Sequence, residues 1–122
     1  MSVNQSLNYL KAEQSVVVLH FSEAVTTSSK YLKGAGGVAG DGFAMPFAGK
    51  ILGLQVYDGT TLCKSTQAVE FSADDRISVY ANHSGSNFNV YARKNGINTT
   101  CLVTGLPENV NLQATVTCRL TE

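Results

Sequence analysis

The sequence predicts one antiparallel all-β domain, a β-sandwich or jelly roll of about eight short strands. Apolar residues recur at every second position, no window follows a helical period better, and turn-forming residues interrupt the pattern roughly every 8 to 12 residues. Only 15% of the residues are charged, whereas surface helices are rich in Glu, Lys and Arg. The length of 122 residues fits a single domain, which we place at residues 14–122 behind an N-terminal arm at residues 1–13.

The N-terminal third is predicted to contain an arm, one clear strand and weaker elements. The arm has weak periodicity, so an extended segment and a short helical turn both remain open. Ser15 to Phe21 is the clear strand because five of its seven residues are apolar. Glu23 to Lys30 is predicted as a loop or a weak edge strand, and Tyr31 to Lys33 as a short strand.

A glycine-rich segment from Gly34 to Gly42 follows, with five glycines in nine residues. Glycine permits positive φ, so the plain interpretation is a flexible loop. A phosphate-binding loop requires a helix directly after it. Phe43-Ala44-Met45-Pro46 stands there instead, and the proline argues against a nucleotide site.

The remaining strands alternate apolar and polar positions. In Lys50 to Tyr57 we predict Leu52, Leu54 and Val56 on one face, followed by a turn at Asp58-Gly59. Val69 and Phe71 mark a short strand, and a turn at Ala73 to Asp75 follows it. The last four predicted strands are Arg76–Ala81, Phe88–Arg93, Ile97–Val103 and Leu112–Leu120. In the first of these one face is formed by Ile77, Val79 and Ala81, and in the second Phe88, Val90 and Ala92 alternate with Asn89, Tyr91 and Arg93. In the last strand the apolar face is formed by Leu112, Ala114, Val116, Cys118 and Leu120.

Two connections in this half have distinct signals. Asn82 to Asn87 is predicted as a polar loop. Asn95-Gly96 is the strongest hairpin signal of the chain, since both residues tolerate positive φ.

Charge and hydropathy exclude several classes of function. The formal net charge is zero, so the chain offers no electrostatic attraction for nucleic acid or for an anionic membrane. Its longest apolar run, Val16 to Leu19, is far too short to span a bilayer. No signal peptide is expected at Met1 to Ala12. We therefore expect synthesis in a host cytoplasm and three free thiols, Cys63, Cys101 and Cys118, packed as small apolar side chains.

No enzymatic chemistry is expected. His20 lies in the apolar strand and is predicted to be packed, and His83 is predicted in an exposed loop. Asp41 and Asp58 are the best calcium ligands on offer, but the EF-hand pattern is absent. We therefore predict no enzyme, no metal and no cofactor.

Three stretches resemble a known family. Gly42 to Ile51 resembles the G-[FY]-x-M-P-x-x-G-x-I signature of small jelly-roll domains related to the C1q and tumour-necrosis-factor group, found in bacteriophage and bacterial surface proteins. Phe71 to Tyr80 is similar to the family's F-x-A-G-D-R-[IL]-S-V segment, and Arg93 to Gly96 to its R-K-N-G hairpin. The likeness spans about residues 31–120. This chain differs at Asp74, where the family has glycine, and in placing the hairpin after the D-R-I-S-V strand.

The signature also has local physical reasons. Pro46 withholds a ladder donor and ends an extended segment at Met45. Gly49 is expected to take a positive φ in a tight turn. Arg76 is expected to form an ion pair with one of the two preceding aspartates.

The resemblance implies assembly, because such domains form trimers and serve as virion decoration proteins, tail-fibre tips or extracellular ligands. Tyrosines suit protein interfaces, although tyrosines half-buried in their own sheet remain an alternative. The predicted partner-binding residues are Tyr57, Tyr80, Asn82, Asn87 and Tyr91.

The function expected from these observations is a capsid decoration, or cement, protein in the virion of a tailed bacteriophage. It would form a homotrimer and bind the major capsid protein or other virion proteins. The single domain beginning with Met1, the absence of a fibre shaft and the polar stretch Ser2 to Gln14 favour it. The alternatives are a receptor- or glycan-binding tip of a tail fibre, with Tyr80, Asn82, Asn87 and Tyr91 as a shallow glycan site, and a bacterial C1q-like binding module.

Overall fold

Two antiparallel sheets pack face to face, which confirms the predicted all-β sandwich. The computed structural model describes residues 15–38, 40 and 42–121, so the predicted arm at residues 1–13 lies outside the described residues. A short 3-10 helix covers Ala35–Gly37. The strands are β1 Val16–Val25, β2 Lys30–Tyr31, β3 Lys33–Gly34, β4 Phe43–Ala44, β5 Gly49–Tyr57, β6 Leu62–Ser65, β7 Val69–Phe71, β8 Arg76–Ser84, β9 Asn87–Lys94, β10 Ile97–Leu106 and β11 Val110–Leu120.

The two sheets have different connectivity. The first sheet has the order β3-β1-β11-β5-β6, and β7 also pairs with β5. The second sheet has the order β10-β9-β8-β2, and β4 also pairs with β8. The chain changes sheets at the buried Leu32, whose N–H donates to the Val79 carbonyl at 2.9 Å. In the second sheet β8, β9 and β10 are consecutive neighbours, so the R-K-N-G hairpin lies beside the D-R-I-S-V strand.

Strand β11 supplies the clearest stripe of the core. Its five predicted inward residues all have exposures between 0% and 6%, because β11 lies between β1 and β5 and is covered by the second sheet. These residues are Leu112, Ala114, Val116, Cys118 and Leu120. The predicted faces of β8 and β9 are confirmed in the same way, with Ile77, Val79, Ala81, Phe88, Val90 and Ala92 fully buried.

The predicted face of β5 is wrong at Leu52. Thr117 pairs with Gly53 while the next residue, Cys118, pairs with Ile51, so one extra residue is inserted in β5. This β-bulge shifts the alternation by one position. Ile51 and Leu54 are therefore both fully buried, and Leu52 is only half-buried on the outward side.

The two predicted connections have opposite outcomes. Asn95 and Gly96 have φ values of +54° and +77°, which confirms the hairpin turn. The predicted loop Asn82–Asn87 is wrong, because β8 runs to Ser84 and β9 starts at Asn87. The end of β8 carries polar residues on both faces, because its inward position is occupied by His83, whose ring is hydrogen-bonded to Glu108.

Close approach explains Gly49, whose predicted positive φ is wrong. Gly49 is absent from the positive-φ glycines, but a Cβ on it would collide with the Arg119 carbonyl and lie 3.0 Å from the Phe71 ring. Glycine is needed here because β5 passes too close to β11 and β7 for a side chain.

The expected ion pair of Arg76 is also wrong, since no ion pair joins it to Asp74 or Asp75, which are both described. The Asp75 carboxylate accepts hydrogen bonds from the Ser72 N–H at 2.8 Å and from Asn95 Nδ2 at 3.0 Å. These two bonds, led by the one from Ser72, hold the pKa of Asp75 below its usual value. The Arg76 backbone N–H donates to Asn95 Oδ1 at 2.9 Å. The turn before β8 is therefore stabilised by hydrogen bonds from backbone amides and from the Asn95 side-chain amide.

Candidate interaction surfaces

The outward side of the second sheet carries three of the predicted partner-binding residues close together. Tyr80 of β8 stands directly opposite Tyr91 of β9, and Asn82 stands opposite Asn89. All four are half-buried. The period of two places them on one face because the neighbouring residues Val79, Ala81 and Val90 fill the core.

An arginine ties these tyrosines into a cluster. Tyr31 of β2 meets the Tyr80 ring edge-on, with centroids 4.9 Å apart. The Arg93 guanidinium carbon lies 3.8 Å from the centroid of the Tyr80 ring. Arg93 also donates from Nη1 to the Tyr31 hydroxyl and from Nε to Asn98 Oδ1, both at 2.6 Å. Stacking and two hydrogen bonds fix its planar group.

This aromatic cluster, Tyr31, Tyr80, Tyr91 and Arg93, offers ring faces and hydroxyls bordered by amides. Such a surface suits stacking on a sugar ring or on a planar protein side chain, with amides placed for hydrogen bonds. The tyrosines are nonetheless half-buried, so the cluster also stabilises its own sheet.

Asn82 and Asn87 occupy different parts of this face. The Ser29 hydroxyl approaches Asn82 Oδ1 at 3.5 Å and accepts the His83 N–H at 2.7 Å, so the β1–β2 connection borders Asn82. Asn87 is exposed opposite Ser84, beside the turn. It lies four residues from Tyr91, roughly 13 Å along the strand, and therefore at the margin of the predicted site.

The glycine-rich segment covers the other end of this face. A Cβ on Gly42 would collide with the Ile77 carbonyl and lie 3.1 Å from Ser78 Cβ, and one on Gly40 would lie 3.3 Å from the Tyr31 ring. Ser78 is 1% exposed, and its hydroxyl has no hydrogen-bond partner among the described residues. Gly40 and Gly42 therefore pack against the sheet, whereas Gly36 and Gly37 combine a positive φ with open space around them.

The outward side of the first sheet is a different surface, which we call the β1–β11–β5 face. On this face Thr117 of β11 lies between Val18 of β1 and Gly53 of β5, and Thr115 lies between His20 and Gln55. Charged side chains, such as Lys50 and Arg119, lie near its ends and edges. Among the described residues, five large apolar side chains are exposed, and four of them lie on this face: Val16 at 50%, Val18 at 45%, Tyr57 at 40% and Leu62 at 49%.

Tyr57 is therefore separated from the other predicted residues by the thickness of the sandwich. It belongs to β5 of the first sheet, opposite Gln113 and Leu62. Its hydroxyl donates to the Gly59 carbonyl at 2.9 Å. The five predicted residues consequently do not form one site.

Sequence reasoning missed several members of both surfaces. The sequence places Arg93 on the same outward face as Tyr91, because the two residues are two positions apart in the strand. This spacing would have been the signal for including Arg93 among the predicted site residues. Tyr31 gave no such signal, because it reaches Tyr80 through a pairing between distant strands. Val16 and Val18 were placed in a predicted strand without a face, and Leu62 was assigned to no predicted strand; their outward direction follows from the register of β1 and β6.

The two histidines differ from the predictions. His20 was predicted to be packed, but it is exposed on the β1–β11–β5 face because Leu19 and Phe21 take the inward positions. His83 was predicted in an exposed loop, but it lies in β8, half-buried, with Nε2 2.5 Å from Glu108 Oε2 and its ring against Phe88.

Acidic groups and thiols have structural surroundings. Asp58 accepts the Thr61 and Thr60 N–H groups at 2.7 and 2.8 Å, and these bonds, led by that of Thr61, lower its pKa. Asp41 lies outside the described residues, and no group of three metal-ligating side chains occurs within the described residues. All three cysteines are free, with Cys101 and Cys118 buried and Cys63 half-buried.

Comparisons with known proteins give no relatives: no family model, curated protein or solved structure matches this chain. Among the described residues, no helix has the length and apolar character needed to cross a bilayer.

Proposed function

We propose that this chain is a structural protein of a bacteriophage particle, a capsid decoration protein that binds the assembled shell. The observation that carries the proposal is the β1–β11–β5 face, where two pairs of exposed apolar side chains, Val16 with Val18 and Tyr57 with Leu62, flank an uncharged centre. Apolar residues scattered singly over a surface need no explanation, but a concentration on one face is typical of a protein-binding surface.

The chemistry of this face suits a protein partner. Thr115, Thr117 and Gln55 form an uncharged centre, and interface centres are depleted of charge. Val16 and Val18 lie on one side of that centre, and Tyr57 and Leu62 on the other. A protein that binds only the assembled shell stabilises it by mass action.

Two matched substitutions test this proposal. Thr115→Glu places a charge at the centre of the β1–β11–β5 face, and Asn89→Glu places the same charge on the outward side of the second sheet. Both positions are half-buried and lie within strands. We expect Thr115→Glu to weaken binding to undecorated expanded capsids at least about tenfold, roughly 1.4 kcal/mol, and Asn89→Glu to bind like wild type.

The measurement is cosedimentation with capsids and the number of copies bound per particle, after circular dichroism has shown that both variants fold. Saturation at a multiple of the capsid lattice number supports decoration. No binding by wild type, or only a handful of copies, contradicts it.

A second candidate function, a glycan-binding tip, is favoured by the aromatic cluster. The ring of Tyr91, with the half-buried amides of Asn82 and Asn89 two residues further along the paired strands, resembles in chemistry a shallow sugar site. A glycan array with wild type and Tyr91→Ala tests it: specific binding that the variant loses supports the tip, and no binding by wild type contradicts it.

A further inference from the structure

Strand β1 has an unpaired edge over its first half. Its partner β3 pairs only with Phe21 and Ser22. Along Val16 to His20, no described strand lies on the side away from β11. An open edge of five residues, about 17 Å, is a template for another strand.

Two hydrogen bonds show which backbone groups face this edge. The Leu120 N–H donates to the Ser15 carbonyl at 2.9 Å, and the Thr121 N–H donates to the Ala48 carbonyl at 2.8 Å. Hydrogen-bonded pairs alternate along an antiparallel ladder. Odd-numbered residues of β1 therefore bond to β11, and the N–H and C=O groups of Val16, Val18 and His20 point to the open side.

A groove beside this edge shows that the sandwich is incompletely closed there. It has a volume of about 420 Å³ and is lined largely by apolar groups, among them Leu19 and Phe21 of β1, Ala35, and Phe43 of β4. Leu19 and Phe43 are only half-buried. A strand added to β1 with apolar side chains directed inward would cover them.

We propose that the N-terminal segment of a second copy of this chain, residues 3–11, pairs with this open edge of β1. These residues lie outside the described part of the chain. In their sequence Val3, Leu7 and Tyr9 share odd positions, so an extended segment presents them on one side. Nine extended residues span about 30 Å, more than the length of the edge.

Turn chemistry assigns the segment to a second copy. Within one chain, the tightest connection to this edge would be a hairpin that turns at Ala12, Glu13 and Gln14, directly before β1. None of the three is Gly, Asn, Asp or Pro, the residues that tight turns favour. A segment-to-edge contact joins different surfaces of two copies and closes into a ring, such as a trimer, when the rotation allows.

This inference goes beyond the proposed capsid binding and does not depend on it, and its test needs no capsid. Val18→Pro removes an N–H that points to the open side, as an edge strand tolerates, and Val18→Ala is the control that keeps it. Leu7→Lys alters the segment and no described residue. Light scattering coupled to size exclusion measures the mass of each variant, and circular dichroism checks folding.

We expect wild type and Val18→Ala to be oligomers, and Val18→Pro and Leu7→Lys to be folded monomers. Mixing these two monomers leaves one intact edge and one intact segment, so a heterodimer is expected. Monomeric wild type, oligomeric Leu7→Lys, or a mixture that stays monomeric overturns the inference. If Val18→Pro does not fold, Leu7→Lys decides the outcome alone. Capsid binding by a monomeric wild type would leave the proposed function standing.

Discussion

Asp74 has a φ of +71°, a left-handed conformation that costs a non-glycine residue about 1–2 kcal/mol. Glycine adopts this conformation without a Cβ penalty. We predict that Asp74→Gly keeps or raises the free energy of unfolding, by up to about 1 kcal/mol, and that Asp74→Val lowers it by about 1–2 kcal/mol. Urea denaturation measures both. The side chain of Asp74 is exposed, so a large loss in Asp74→Gly would contradict a backbone origin.

The thiols differ in reactivity because they differ in burial. Burial, with a smaller contribution from the neighbouring Cys101, raises the pKa of Cys118 to about 12, and burial raises the pKa of Cys101. Only thiolates react readily, and Cys63 is half-buried. We predict that a chromogenic disulfide reagent labels one thiol in the native protein and three in denaturant, and that Cys63→Ser removes the native signal.

The same pKa shift gives a direction for alkaline stability. The folded pKa of Cys118 exceeds its ordinary value of 9.0. The buried thiol of Cys118 therefore contributes its full share to the free energy of unfolding below pH 9, and this contribution declines as the pH rises from there towards about 12. Rapid native labelling of Cys118 at neutral pH would contradict both statements.

At the scale of elements, the bulge in β5 makes Leu52 and Leu54 a matched pair. Leu54 is fully buried, whereas Leu52 is half-buried on the outward side. We predict that Leu54→Ala lowers the free energy of unfolding by about 2–5 kcal/mol and Leu52→Ala by less than about 1 kcal/mol. Chemical denaturation of the two variants measures the difference. Equal losses would mean that β5 alternates without a bulge, as its sequence alone suggests.

The bulge also shows how far period-two patterning predicts this fold. Strands β8, β9 and β11 have the predicted faces because the register shifts next to β9 and β11 insert their extra residues in the partner strands β10 and β5, so alternation within β8, β9 and β11 equals burial. In β5 the extra residue is visible only in the pairing with β11. The turn at Asn82–Asn87 was missed for a similar reason, since the inward His83 is polar and breaks the apolar alternation.

The surfaces were less predictable than the strands. Tyr80 and Tyr91 are on the expected side because direction follows from alternation within each strand. Their neighbour Tyr31 comes from a pairing across 49 residues of sequence (80 minus 31), and the separation of Tyr57 follows from sheet assignment. Neither is encoded in a local pattern.

At the scale of the whole molecule, the two sheets differ in how far apart in the sequence their paired strands lie. β8, β9 and β10 are consecutive neighbours in the second sheet. The centre of the first sheet joins β1 to β11, so Val16 pairs with Arg119 near the opposite end of the chain. Closing a long loop costs entropy before any pairing compensates it, and sheets built on distant pairings fold slowly. The second sheet can therefore form its first strand pairs by closing shorter loops than the first sheet.

We predict that the β8–β9 hairpin is formed in the folding transition state and that β11 docks later. Val79→Ala in β8 should mainly slow folding, and Val116→Ala in β11 should mainly speed unfolding, since contacts formed after the barrier affect the unfolding rate. The two are a matched pair, because both are fully buried valines on central strands. Folding and unfolding rates across a urea series measure the effect. For each variant, the change in the activation free energy of folding divided by the change in the free energy of unfolding gives a kinetic ratio. Equal ratios for the two variants, or a higher ratio for Val116→Ala, would show that the long-range pairing of β1 with β11 precedes the hairpin.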